Sequence, residues 1–215
     1  QSQTIMEIFP ASGPAKTNIL GKLTDDKVAQ AQRVQEYLNY LMTVEMTEYR
    51  TETEKLLFSL PIAGSAFRKV YYDQNLGRPC SMFVPAEDFV VNYGAADLQT
   101  AERVTHVMKK EANEVLKLQQ SGWYADIDLP APTPDITEIA AKYNKLTGAS
   151  PNYDVDQRHN LLEMMVNVDL HGFEDLEDNE PTNIGLPYII TVDKSSSIIL
   201  SIRRNWKEED ELKLK

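Results

Sequence analysis

The stretch 186–206 constrains the fold of this chain more than any other. Two runs rich in β-branched and aromatic residues, 188–192 and 198–202, flank the turn Asp-Lys-Ser-Ser-Ser. Such runs around a short polar turn are typical of a hairpin. The chain is therefore expected to contain antiparallel sheet, and this hairpin ends on Arg203, Arg204 and Trp206.

In the first third of the chain, apolar residues recur every three or four positions, as in a helix, and do not alternate as in a strand. A first helix is expected from Thr24, a candidate N-cap, to about Met46. A second is expected from the capping-box pair Thr51 and Glu54 until Pro61 stops it. We expect the two helices to pack as one helical layer. The apolar stripe of the first consists of Val28, Ala31, Val34, Leu38, Leu41 and Met42.

The remaining strands come mostly in hairpins, and the helices come in separate runs. This order lacks alternating strand–helix units, so the sequence predicts an α+β fold with a helical layer packed on antiparallel hairpins. Strands are expected at 66–72, 81–84, 89–93, 103–108 and 162–170, and further helices at 111–120 and 135–146.

Proline and glycine positions divide the chain into segments. Pro130, Pro132 and Pro134 favour an extended entry to the helix at 135–146, and Gly148 ends it, as expected for a surface insertion. We expect a truncated helix and extended lead-in at 1–23, helices with a β-hairpin core at 24–129, the Pro-bounded insertion at 130–160, antiparallel sheet at 161–206 and a charged helical tail at 207–215.

Composition excludes several functional classes. The 215 residues carry a formal net charge of −11. Duplex binding needs a basic stripe, so no tight DNA binding is expected. No apolar run is long enough for a membrane span, and Cys80 is the only cysteine, which rules out an intrachain disulfide.

The candidates for chemistry are weak. His106, His159 and His171 have no metal-ligand spacing, and the acidic loop 174–180 lacks the alternation of a calcium loop. Phosphate-binding glycine motifs are also missing from the sequence. We therefore predict no catalytic, cofactor-binding or metal-binding residues. A metal-dependent hydrolase built around Asp169 and His171 is the least favoured alternative.

The basic and aromatic end of the hairpin is the sharpest candidate for binding. Arg and Trp are enriched at the energetic centres of protein interfaces, so Arg203, Arg204 and Trp206 are predicted interface residues. The alternative is a strand end at which the Trp caps the core and the Arg side chains pair with local carboxylates.

Three segments together resemble the portal proteins of short-tailed double-stranded DNA phages. These segments are the hairpin 186–206, the block VPAEDFVV at 84–91 and the segment TAERVTH at 100–106. The resemblance extends over residues 11–207 and implies the outer wing region of a portal subunit, cut from a longer chain. The stem and clip segments of the family are not among these residues.

Portal subunits form a ring of about a dozen copies through which DNA is packaged and ejected. The resemblance therefore implies that the partners are other portal subunits, the capsid or scaffolding protein and the terminase. It also implies a location in the virion, or in the host cytoplasm during assembly, and neither an enzymatic activity nor a cofactor. A second class of function is an acidic adaptor module that binds a basic protein.

Overall fold

The computed structural model describes residues 2–73, 76–132, 142, 158–172, 174–177 and 180–206. The chain divides into two compact units, Gln1–Glu87 and Asp88–Lys215. Helices and antiparallel sheet occur in both, so the predicted α+β class is confirmed. The division falls inside the predicted segment 24–129. Most of the predicted insertion at 130–160 and all of the tail at 207–215 lie outside the described residues.

The first unit consists of helices followed by one hairpin. The strands β1 and β2 pair in antiparallel register from Phe67 opposite Val84 to Asp73 opposite Arg78. They form a two-stranded sheet that shares no strand with the five-stranded sheet further along the chain. The elements are α1 (Ser2–Ile8), α2 (Asp25–Tyr40), a π-helical turn (Leu41–Glu45), α3 (Tyr49–Ala63), β1 (Phe67–Asp73) and β2 (Arg78–Val84).

Helix α3 differs from its prediction at both ends. It begins at Tyr49, so the expected capping box lies inside the helix, and it continues through Pro61 to Ala63. A proline in the last turn costs one backbone hydrogen bond but does not have to end a helix. The helix ends instead at Gly64, whose left-handed φ of 75° lets its N–H bond to the Leu60 carbonyl.

The apolar stripe of α2 is not buried as the prediction required. Helix α2 contains no buried residue, and Val28, Val34 and Leu38 are exposed. Its less exposed side is the polar row that includes Gln35 and Asn39, whose amides bond to the backbone of the lead-in at Thr17 and Ala15. The lead-in therefore covers the side that carries Gln35 and Asn39. Of the apolar stripe, Val28, Val34 and Leu38 stay in solvent, whereas Ala31, Leu41 and Met42 are half-buried.

The second unit is built on a five-stranded antiparallel sheet in the order β3-β4-β5-β8-β9. Its central strands, β5 and β8, pair over eight positions, from Leu161 opposite Asp193 to Val168 opposite Leu186. The predicted closing hairpin is the pair β8 and β9. The elements are β3 (Phe89–Val91), β4 (Arg103–Lys110), α4 (Ala112–Gln120), β5 (His159–Val168), β6 (Leu176–Glu177), β7 (Glu180–Pro181), β8 (Leu186–Asp193) and β9 (Ile199–Arg204).

Both faces of this sheet are apolar. On one face, Val115 of α4 and Tyr124 pack with Leu161 and Leu200. The other face carries buried Leu186, Tyr188 and Ile190, and it confirms the predicted alternation of β5. The side chains of β5 and the segment after it that pack there are Met164, Val166, Val168 and Leu170.

Strand β9 begins with a β-bulge. Val192 is opposite Ile199 and Thr191 is opposite Ser201, so Leu200 is the extra residue. The bulge turns the Leu200 side chain to the α4 face, where it is buried. Its carbonyl accepts a hydrogen bond of 2.7 Å from the Ala125 N–H, which ties the segment after α4 to the edge of the sheet.

The helices of the described residues are short or polar. None is both long and apolar enough to cross a membrane.

Candidate functional site

The three residues of the predicted interface lie at the end of β9, but they do not form one cluster. Successive strand residues point to opposite faces of a sheet. Arg203 lies on the α4 face, whereas Arg204 is opposite Tyr188 and lies on the other face together with Trp206. The sheet therefore separates the two arginines.

Arg203 is held by contacts inside the chain. Its guanidinium lies 4.0 Å from the ring centroid of Trp123, a cation–π contact, and its Nη2 lies 3.4 Å from Oε1 of Glu163. Tyr124 contributes to the same face, and burial, helped by the charge of Glu163, raises its pKa to about 12. The positive charge of Arg203 therefore compensates the Glu163 carboxylate at a half-buried position beside the Trp123 ring.

Trp206 extends the core of the opposite face. Its ring meets Tyr188 edge to face, with 5.2 Å between centroids, and it packs against the cluster of Leu186 and Ile190. Arg204 is exposed, and its guanidinium lies 5.7 Å from the Trp206 ring. Trp206 thus packs on the core of this face, with the Arg204 guanidinium close to its ring.

These contacts match the alternative that the sequence left open for two of the three residues. Arg203 pairs with a local carboxylate and Trp206 caps a core. The interface role of the hairpin end remains a prediction, and the exposed guanidinium of Arg204 is the group best placed for a neighbour.

A buried carboxylate fixes the turn that carries this hairpin. Asp193 has no exposed surface, and its Oδ2 accepts hydrogen bonds from Ser195 Oγ at 2.6 Å, Ser196 Oγ at 2.7 Å and the Ser196 N–H at 2.8 Å. Burial on its own would raise the pKa of Asp193, but the serine hydrogen bonds outweigh it and lower the pKa below 3.8. The carboxylate of Asp193, the first residue of the Asp-Lys-Ser-Ser-Ser turn, therefore holds the turn together through these hydrogen bonds.

The histidines are not grouped for catalysis. His171 is fully exposed and its Nδ1 lies 2.9 Å from Glu174 Oε1, while His159 is buried with Nδ1 3.6 Å from Asp193 Oδ1. The hydroxyls of Ser195 and Ser196 donate to Asp193, so these contacts do not orient a serine toward an imidazole base. Within the described ranges no group of His, Cys, Asp and Glu is arranged to hold a metal ion.

The first unit carries an open apolar cleft between α1 and α3. Its volume is about 700 Å³, and Arg50 and Lys55 at its rim are paired with Glu54 and Glu52. The rim therefore offers little uncompensated charge to fix a polar ligand. The apolar lining consists of Ile5, Met6, Leu57, Phe58 and Phe83.

Exposed apolar side chains are the feature that sequence reasoning missed. They are concentrated in the first unit, on every element from α1 to β1, and they include Phe58, Ile62 and Val70, each more than 60% exposed. Scattered exposed apolar residues are ordinary, whereas large contiguous apolar patches are typical of interaction surfaces. Periodicity shows an apolar stripe but not what covers it, so the sequence carried no signal for this exposure.

No protein-family model and no curated protein matches this chain.

Proposed function

We propose that this chain is part of the portal ring of a short-tailed double-stranded DNA phage and forms a piece of the outer wing. Its function in this proposal is to supply assembly surface and shape, without chemistry of its own. The proposed partners are neighbouring portal subunits and the capsid or scaffolding protein, with the terminase contacted by the complete protein. The proposed location is the virion, and the host cytoplasm during assembly.

The observation that carries the proposal is the exposed apolar surface of α2 and α3. Helix α2 has no buried residue, and in α3 only Thr53 is buried. Helices in water take most of their stability from packing an apolar face, so helices of this kind require a cover. A subunit of a multi-copy ring obtains that cover from its neighbours.

The distribution of charge favours subunit contact through the first unit. Residues 1–87 contain nine Lys or Arg and ten Asp or Glu, whereas residues 88–215 contain 13 and 23. Contacts between two second units would bring together net charges of −10, which repel. Near-neutral first units avoid that repulsion, so they are the better candidates for subunit contact.

The experiment that tests the proposal is electron microscopy of the protein expressed from its complete reading frame. We expect closed rings, and we expect Val34→Glu on the exposed stripe of α2 to abolish them while the subunit stays folded. The matched control is Leu116→Glu, because Leu116 is an exposed apolar residue on α4 of the acidic second unit. Monomers from the unmodified protein would contradict the proposal.

The genomic neighbourhood provides an independent check. A portal gene is expected beside genes for a large terminase subunit and a capsid protein. Their absence would count against the portal function without affecting the inference that the first unit is covered by protein.

The acidic second unit favours one alternative, an adaptor that binds a basic protein. Its net charge of −10 is compatible with such a partner. Under this alternative the chain would be captured by a basic partner in a salt-dependent manner, and Val34→Glu would leave that capture unchanged.

A further inference from the structure

The two edges of the β1–β2 sheet differ in whether their backbone groups are satisfied. Helix α3 lies along β2, and carboxylates of the helix and of its N-cap residue accept hydrogen bonds from that edge. Glu52 Oε2 accepts from the Phe83 N–H at 2.7 Å, and Glu48 Oε1 accepts from the Ser81 N–H at 3.3 Å. Arg78 holds the Glu48 carboxylate at 2.9 Å and lowers its pKa to about 2, so this acceptor stays ionised. The β2 edge is therefore closed.

The same contacts determine which backbone groups of β1 point outward. Ser81 and Phe83 direct their N–H groups away from β1, so each belongs to a pair that does not exchange hydrogen bonds across the hairpin. Their partners are Val70 and Arg68, and Tyr72 follows by alternation. These three residues direct N–H and C=O to the other edge, where the described part of the first unit supplies no backbone partner.

The open edge of β1 is also apolar and exposed. Val70 is 65% exposed and Tyr72 is 60% exposed. The strand is seven residues long and contains no proline. An exposed, unpaired edge with β-branched and aromatic side chains is a template for pairing with another strand.

We propose that the occupant of this edge is β1 of a second copy, paired in antiparallel register about a two-fold axis at Val70. The sequence of β1, Phe-Arg-Lys-Val-Tyr-Tyr-Asp, is self-complementary in that register. Val70 is opposite Val70, and each cation of one strand is opposite a tyrosine of the other. The pairs are Phe67 with Asp73, Arg68 with Tyr72, and Lys69 with Tyr71.

Charge and contact area favour this register over its neighbours. A shift that centres the axis on Lys69 or Arg68 places two like charges opposite each other, which destabilises a sheet. A shift toward Asp73 pairs fewer residues. The centred register pairs all seven and brings Lys69 opposite Tyr71 of the other copy, a cation–ring contact that β1 already shows within one chain at 5.4 Å. The Arg68 guanidinium stays over the Tyr49 ring of its own copy at 4.8 Å.

A two-fold contact of this kind is distinct from the contact that builds a ring. Successive subunits of a cyclic ring meet through two different surfaces, whereas this pairing joins the same surface twice. The unassembled chain therefore forms a dimer with the strand order β2-β1-β1-β2. It does not depend on the proposed portal function.

Sedimentation of the full chain over a range of concentrations tests the dimer. We expect the mass to double as concentration rises, and Val70→Lys to weaken dimerisation about tenfold or more, because it loses the Val pair and sets two lysines opposite each other. Val90→Lys is the matched control, since Val90 is an exposed valine on the three-residue edge strand β3, and it should dimerise as the unmodified chain does. Circular dichroism checks that each variant is folded, and Tyr72→Arg provides a second variant that sets Arg opposite Arg68.

Disulfide formation tests the register. Residues of a hydrogen-bonded antiparallel pair lie about 5.5 Å apart at Cα, within the range for a disulfide. We expect Val70→Cys to give a cross-linked dimer on oxidation and Tyr72→Cys to give none, with the buried Cys80 as an unreactive background. Cross-linking of Tyr72→Cys alone would overturn the register. A chain that stays monomeric, or a Val70→Lys variant that dimerises unchanged, would overturn the dimer. Rings from the complete protein together with a monomeric unmodified free chain would overturn the dimer and leave the portal proposal intact.

Discussion

Replacement of Asp193 should destabilise the second unit more than any other single change in the closing turn. Its carboxylate accepts three hydrogen bonds from Ser195 and Ser196 while fully buried. A hydrogen bond to a charged group contributes about 1.5–3 kcal/mol, but donors that can return to water recover part of that. Ser195 is exposed and Ser196 is half-buried, so we expect Asp193→Ala to cost about 3 kcal/mol and Asp193→Asn about 1–2 kcal/mol.

The stability lost on replacing Asp193 should become smaller as the pH falls. The pKa of Asp193 in the folded chain is lowered below 3.8, so its contribution is complete above the pKa of the unfolded chain and is lost as pH falls through the folded value. The difference between the unmodified chain and Asp193→Asn should therefore be constant near neutral pH and shrink below about pH 4.

Urea denaturation followed by tryptophan fluorescence measures this difference. The chain has two tryptophans, Trp123 and Trp206, and both lie in the second unit with Asp193. Asp97→Asn is the matched control, because Asp97 accepts three hydrogen bonds from Gln99 and Thr100 at an exposed site, and it should cost less than about 1 kcal/mol. Equal costs for the two aspartates, or a difference that persists unchanged at pH 3, would refute the reasoning.

Three further predictions concern the candidate site and the surface. Trp206→Ala should lower the free energy of unfolding in urea by about 2 kcal/mol, since Trp206 is half-buried on Tyr188. Arg204→Ala should change that free energy by less than about 0.5 kcal/mol and still reduce ring yield if the hairpin end is an interface. Equal stability losses in the two variants would argue against these separate roles. Burial raises the pKa of the Cys80 thiol, so a thiol reagent should modify the native chain far more slowly than the chain in urea, and equal rates would contradict the buried position. Fluorescence anisotropy should detect no duplex DNA binding tighter than about 10⁻⁴ M at physiological salt, because the chain is acidic, and sub-micromolar binding would reveal a basic face.

The strands were predictable because their signal is local. Alternation along 162–170 and the turn after Val192 depend on neighbours in the sequence, and both appear in the structure as β5 and the β8–β9 hairpin. The opposite faces of Arg203 and Arg204 follow from the same alternation, so the sequence already argued against a single cluster of those residues with Trp206.

Burial of the helices was not predictable in the same way. Periodicity shows that α2 has an apolar stripe, but it does not show whether the chain itself covers that stripe. In the structure the polar side of α2, with Gln35 and Asn39, binds the lead-in instead. The bulge at Leu200 and the paired edge of β2 likewise depend on contacts between residues distant in the sequence, such as Glu52 with Phe83.

The carboxylates of Glu48 and Glu52 have a consequence for how far the sheet of the first unit can grow. A strand with two free edges can add copies without limit, which is the route to fibres. Because α3 blocks β2, each copy of the hairpin can accept one additional strand, and that strand's own hairpin then presents another blocked edge. Helix α3 and the residue before it therefore limit the sheet to two paired hairpins.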